Sequence, residues 1–138
     1  MSSRRSPTLA QVWKLSALLI ATMSCVGARA DMLQDCNGVA SQINRSTPQQ
    51  LDRVTRLISS TCVSDGRAVR LIYMNEISAP SGSVSQSALD GMRPRMVQAW
   101  CTDPDQRTLI NMIDIQYSYS YPDGRLIGKI NLSRRDCS

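Results

Sequence analysis

The sequence predicts an α+β domain in the order helix, strand, strand, helix, strand, strand: an antiparallel sheet packed against helices and stapled by two disulfides. Three observations carry that prediction. Residues 69–76 and 113–132 alternate apolar and polar side chains with period two, and the segment between them repeats its apolar residues at helical spacing. Four cysteines follow what reads as an export leader.

The chain has 138 residues, the length of one domain, and residues 1–30 read as a signal peptide. Arg4, Arg5 and Lys14 precede an apolar run over residues 15–23, too short to span a bilayer as a mature helix. Ala28-Arg29-Ala30 puts small residues at the two positions a signal peptidase reads, so a single disulfide-stapled α+β domain is expected over residues 31–138. Cys25 closes the same apolar run and gives the alternative of an acylated lipoprotein, although Thr22 stands where such signals carry Leu or Val. The expected location is periplasmic or secreted, or the outer membrane if Cys25 is acylated.

Export changes the charge argument. Of the sixteen basic residues Arg4, Arg5, Lys14 and Arg29 lie in the leader, while all eleven acids follow Ala30, which leaves twelve basic against eleven acidic. A domain so close to neutrality gives nucleic acid no electrostatic footprint to follow. Arg93 with Arg95, and Arg134 with Arg135, are local clusters that fit a solvated face.

Cys36, Cys62, Cys101 and Cys137 remain after cleavage, and an even count in an exported chain reads as two disulfides. Metal ligation is the rival, but the chain has no histidine and no C-x-x-C spacing. Four cysteines permit three pairings, and spacing alone does not choose among them.

The elements follow in order. Leu33, Val39, Ala40 and Ile43 suggest a first helix over residues 32–43, broken at Ser46-Thr47-Pro48. Residues 51–63 are rich in β-branched side chains and favour a strand in their later part, with a short helical turn over 48–53 as an option. Ser64-Asp65-Gly66-Arg67 is a turn signal, and Val69, Leu71 and Tyr73 then share one side of a strand. Residues 78–85, with Pro80 and Gly82, read as a surface loop. Leu89, Met92, Met96, Val97 and Trp100 gather on one side of a second helix. Gly91 and Pro94 interrupt it, so a kinked or two-part helix ending at Cys101 is expected. Thr102-Asp103-Pro104 stops it and caps a short turn through Leu109.

The final hairpin is the strongest pattern. Ile113, Ile115, Tyr117, Tyr119 and Tyr121 point one way in an extended chain, and Asp114, Gln116, Ser118 and Ser120 the other. Pro122-Asp123-Gly124 turns the chain, and Leu126, Gly128, Ile130 and Leu132 are expected on the same apolar face. Terminal strands fray. A Cys101–Cys137 bond would close a loop of about 37 residues, stabilising by about 3 to 4 kcal/mol in the chain-entropy description. Cys36–Cys62 would tie the first helix to the first strand in the same way. The pairing Cys36–Cys137 with Cys62–Cys101 stays open.

The chemistry available to these residues is narrow. Without histidine, Ser-His-Asp and Cys-His arrangements are excluded. Lys129 is the single lysine after the leader and alternates onto the mixed face. Glu76 and Asp114 share that face, where solvated carboxylates are the ordinary case. No phosphate-binding glycine loop is present. Neither catalytic nor metal-binding nor cofactor-binding residues are expected. Tyr117 and Tyr119 fit a core. Tyr121, beside the turn, joins Arg93 and Arg95 as the side chains placed to form an interaction surface.

Two resemblances emerge from these residues. Residues 47–57, Arg70-Leu71-Ile72-Tyr73, Cys101-Thr102-Asp103-Pro104 with Leu109, Tyr117-Ser118-Tyr119, residues 123–128 and Cys137 together resemble small exported bacterial proteins of the quorum-sensing-regulated virulence factor type. The likeness spans nearly the whole mature chain and implies an α+β domain of this order. From Cys101 to Cys137 the chain is also similar to the pilotin lipoproteins of type II secretion systems. In those a helix-end cysteine is bridged to one after the last strand, and the protein grips the C-terminal segment of an outer-membrane secretin. The sequence departs from pilotins in its poor lipobox and in Cys36 and Cys62. Both resemblances imply a non-enzymatic protein with a protein partner and no cofactor; membrane contact is expected only through an acylated Cys25.

Overall fold

In a computed structural model, backbone is described from residue 24 and side chains from residue 29. The export signal expected over 1–30, its last residues apart, and the side chain of Cys25 lie outside that description. The chain divides into two units, Met1–Asp31 and Met32–Ser138; the fold below is that of the second. Among the described residues no helix is long and apolar enough to cross a membrane.

The order of elements is α1 (Ser24–Asn44), β1 (Gln49–Gln50), β2 (Thr55–Ser64), β3 (Val69–Ile77), α2 (Gln86–Thr102), α3 (Pro104–Met112), β4 (Asp114–Ser120), β5 (Leu126–Leu132) and a closing 3-10 turn, Arg134–Cys137. This is the expected α+β class. Residues 48–53 are a two-residue strand and a turn rather than a helical turn, because Asp52 Oδ1 accepts from the N–H groups of Val54 and Thr55. Asp65 does the same for Arg67 and Ala68, while Gly66, at φ 83°, supplies the left-handed residue that the turn needs.

The five strands lie in the order β1-β2-β3-β4-β5. Every pairing is antiparallel except the central one, β3 with β4. The expectation of an antiparallel sheet is corrected there. Residues 78–113 carry α2 and α3 between those strands, and a crossover of that length returns the chain in the same direction.

Pro94 does not divide α2, which runs unbroken past Cys101 to Thr102. Leu89 and Trp100, one on each side of the proline, are both buried and fix the two halves to the same sheet. The break falls instead at Asp103, whose carboxylate accepts from the N–H groups of Asp105 and Gln106 and so caps α3, with Pro104 at its first position.

Both helices and the disulfides meet the face bearing Leu71, Ile115, Ile130 and Leu132, all buried. The bonds are Cys36–Cys62 and Cys101–Cys137, which decides the pairing. On the opposite face the central residues Gln116 and Ser118 are also buried; their strand neighbours are Ile72 with Asn131 and Met74 with Lys129. One expected core position is wrong. The register shifts between Tyr119 and Ser120, pairing Ser120 with Leu126, so Leu126 is turned outward at 58% exposure and Ile127 packs against the core instead.

Candidate functional site

The two long helices stand over the same face of the sheet, toward its opposite edges. Asn44 bonds the backbone of Ser60 in β2 and Cys36 is bridged to Cys62, so α1 lies above β2. Gln86 and Arg93 bond the backbone of β5 at Lys129 and Asn131, so α2 lies above β5. Between them β3 and β4 carry Tyr73 and Tyr117, paired across the parallel register, with rings stacked at 4.8 Å and 9°. Neither ring is fully buried.

Helical phase defines the walls. Asn44 places one flank of α1 toward the outer edge of β2, which turns Met32, Val39 and Ile43 inward. Gln86 and Arg93 place one flank of α2 toward β5, which turns Met92 and Met96 inward. Met32, Val39, Ile43 and Met96 are half-buried against the core, and Met92 is 43% exposed. These flanks and the tyrosine pair between them outline a candidate groove, with unbranched, adaptable methionine on one wall.

The floor is tied to the α2 wall. Trp100 Nε1 donates to the Tyr117 hydroxyl at 2.8 Å. Burial pushes the Tyr73 phenol up to about 12. Tyr117 is raised further by burial and by Tyr73 beside it, against a smaller opposing effect of the Trp100 bond. Tyr119 is raised by burial and by the charge of Asp52. All three phenols are therefore neutral over the physiological range. Asn75, between Leu57 and Tyr119 in the register, is buried with its Oδ1 unpartnered.

The residues expected to form an interaction surface are not brought together. Tyr121 is buried at 5% exposure. Its hydroxyl donates to the Val84 carbonyl at 3.1 Å and accepts from Val84 N–H at 3.0 Å, pinning the loop before α2. That correction has a plain cause: the turn after Tyr121 is exposed, but the ring belongs to the apolar face. Arg93 is engaged with Asp136 and with the Asn131 carbonyl, a strut between α2 and the C-terminal turn. Arg95 is exposed and falls by helical phase on the Met92 flank, at the rim of the groove.

Glu76 and Asp114 share the sheet face opposite the groove but do not approach each other. Asp114 is level with Arg70 and Glu76 with Ser120, a six-residue offset of about 20 Å. Glu76 pairs with Arg56 at 3.0 Å. Lys129 stands opposite Ser118 with its side chain in solvent, not in the desolvated site a lysine base requires. Among the described residues no three His, Cys, Asp or Glu side chains gather as a metal site.

The Tyr73–Tyr117 stack and the contacts of Asn44 and Gln86 are absent from the sequence reading. The stack follows only from the parallel register, and a carboxamide that bonds distant backbone leaves no periodic signal.

No protein-family model matches the chain, and no curated protein does either. Solved structures do. A candidate secreted protein of Pseudomonas aeruginosa is similar at a TM-score of 0.67 and 15% identity, over 78% of this chain and 94% of that one. A pilotin of the Vibrio vulnificus type 2 secretion system gives 0.62 and 12%, over 79% and 94%. The type II secretion system pilotin of Vibrio cholerae gives 0.54 and 14%, over 78% and 94%. At these identities the likeness is one of fold: the chain has the α+β architecture found in a candidate secreted protein and in two secretion-system pilotins.

Proposed function

We propose that this chain is an exported, non-enzymatic protein-binding module of virulence-factor type, which holds a segment of a partner protein in the groove between α1 and α2. The observation that carries the reading is the stacked Tyr73–Tyr117 pair, which is not fully buried. A ring pair held by a bond from α2 and still partly exposed offers apolar area at little conformational cost, as protein interfaces do. Arg95 at the rim adds a charge able to orient the guest. The test is a photo-crosslinking residue at Met96, with Thr61 on the opposite sheet face as control. A discrete adduct with one periplasmic protein from position 96, absent from position 61 and lost on Tyr73→Ala, supports the groove. Equal adducts from both positions sink it.

A second reading, a pilotin-like assembly factor at the outer membrane, is favoured by the fold likeness to two pilotins and by the Cys101–Cys137 bond after the last strand. Its partner would be a secretin. Mass spectrometry of the mature N-terminus separates the two readings: acylated Cys25 supports the anchored protein, and a free Asp31 the periplasmic or secreted one.

A further inference from the structure

Each edge of the sheet carries a strand with outward backbone groups that have no strand partner among the described residues, and on each a side-chain carboxamide takes both groups of one residue. On β5, Gln86 Nε2 donates to the Lys129 carbonyl at 2.9 Å, and Gln86 Oε1 accepts from Lys129 N–H at 3.0 Å. On β2, beyond the reach of β1, Asn44 Nδ2 donates to the Ser60 carbonyl at 2.8 Å, and Asn44 Oδ1 accepts from Ser60 N–H at 2.6 Å. A carboxamide offers the same donor and acceptor as the peptide of an adjacent strand, so each reproduces one step of a sheet ladder.

The β5 contact is built into its surroundings. Gln86 Nε2 also reaches Asp90 Oδ1 at 2.8 Å, which holds the amide in orientation. The residue beneath it is Gly128, where an added Cβ would overlap the Gln86 carboxamide. Arg93 Nε, two turns along α2, donates to the next outward carbonyl, that of Asn131, at 3.3 Å. On β2 the guard is secured differently, because the Cys36–Cys62 bond keeps α1 in place.

We propose that Gln86 is an edge guard: its carboxamide occupies the position of an incoming strand, and without it β5 becomes an adhesive edge to which a second copy of this chain adds, β5 to β5. The strand itself argues for that occupant. Leu126-Ile127-Gly128-Lys129-Ile130-Asn131-Leu132 is apolar apart from one lysine and one asparagine, the composition of an edge that pairs when uncovered. Two antiparallel copies related by a twofold axis at Lys129 would satisfy each other's Lys129 backbone groups and close as a dimer.

The test compares the parent chain with Gln86→Ala and Gln86→Asn, the second keeping a polar residue too short to reach Lys129. Light scattering across a concentration range gives mass, and amide hydrogen exchange locates the contact. The proposal expects both variants to double in mass with concentration. The Lys129 amide should exchange on the order of tenfold faster in dilute protein and regain protection in the dimer, while the buried amides of β4 stay protected throughout. Variants that remain folded and keep the mass of the parent chain at every concentration overturn it. So does a dimer in which Lys129 stays unprotected, since another surface would then be responsible.

Discussion

Trp100 and Tyr117 are joined by a hydrogen bond from indole Nε1 to phenol oxygen, 2.8 Å long, and that bond fastens α2 to the strand at the parallel centre of the sheet. Trp100 is buried, so its donor has no water to turn to. Tyr117→Phe should therefore cost about 1 to 3 kcal/mol, the penalty of an orphaned buried donor, although it deletes one atom. The shift in the urea midpoint measures it. A cost near zero would mean that the indole has found another acceptor.

The stacked tyrosines give the fold an alkaline limit. Burial raises Tyr73 to about 12 and raises Tyr117 as well, above the ordinary value near 10. Between those values the unfolded chain loses phenolic protons that the folded chain retains. Stability contributed by these groups is thus complete below pH 10 and falls as the pH rises through the folded values. The slope is at most about 1.4 kcal/mol per pH unit for each tyrosine. Urea midpoints taken from pH 9 to pH 12 should decline, and Tyr73→Phe should flatten the decline. An unchanged slope in that variant would show that Tyr73 ionises freely in the folded state.

Much of this architecture is legible from alternation and turn residues. Leu71 and Tyr73 on β3, Ile115 and Tyr117 on β4, and Ile130 and Leu132 on β5 occupy the face that their period-two spacing assigns. The turns at Gly66 and Gly124 fall where Asp-Gly dipeptides place them. What escapes the sequence is non-local. Strand direction at the centre depends on the path of a 36-residue crossover, and period-two patterning is identical for parallel and antiparallel neighbours. Leu126 and Ile127 exchange faces because of a bulge formed with the partner strand. Tyr121 is buried through bonds to Val84, 37 positions earlier. The groove inherits this limit: each of its walls has helical spacing, but its floor exists only once β3 and β4 run side by side.

Arg107 runs parallel to a disulfide. Its guanidinium donates to the carbonyls of Cys101 at 3.3 Å and Cys137 at 3.2 Å, the two residues that the sulfur bridge already joins. With the bridge intact, Arg107→Ala should cost under about 1 kcal/mol, since the site is exposed and the ends are held covalently. In a Cys101→Ser/Cys137→Ser background, itself weaker by about 3 to 4 kcal/mol in the chain-entropy description, the same change should cost more, because no other link then ties those two residues together. A double-mutant cycle in denaturant measures the difference. Strict additivity would show that the arginine and the bridge act independently of each other.

Gly128 is buried on β5 beneath Gln86. Its backbone is ordinary strand, so the constraint is not one of φ but of space: an added Cβ meets the Gln86 carboxamide and then Leu89 Cδ1 at 3.0 Å. The end of Gln86 can swing away, but only by giving up both bonds to Lys129. Leu89 is fully buried and has less room to move. Gly128→Ala should therefore destabilise by about 1 to 3 kcal/mol, the usual range for an overfilled site. In a Gln86→Ala background the largest overlap is gone, and the same substitution should cost distinctly less. Thermal or urea unfolding of the four proteins, at concentrations low enough to keep each monomeric, supplies the cycle. Equal costs in both backgrounds would place the strain at Leu89, and would mean that glycine at 128 is not there to make room for the carboxamide.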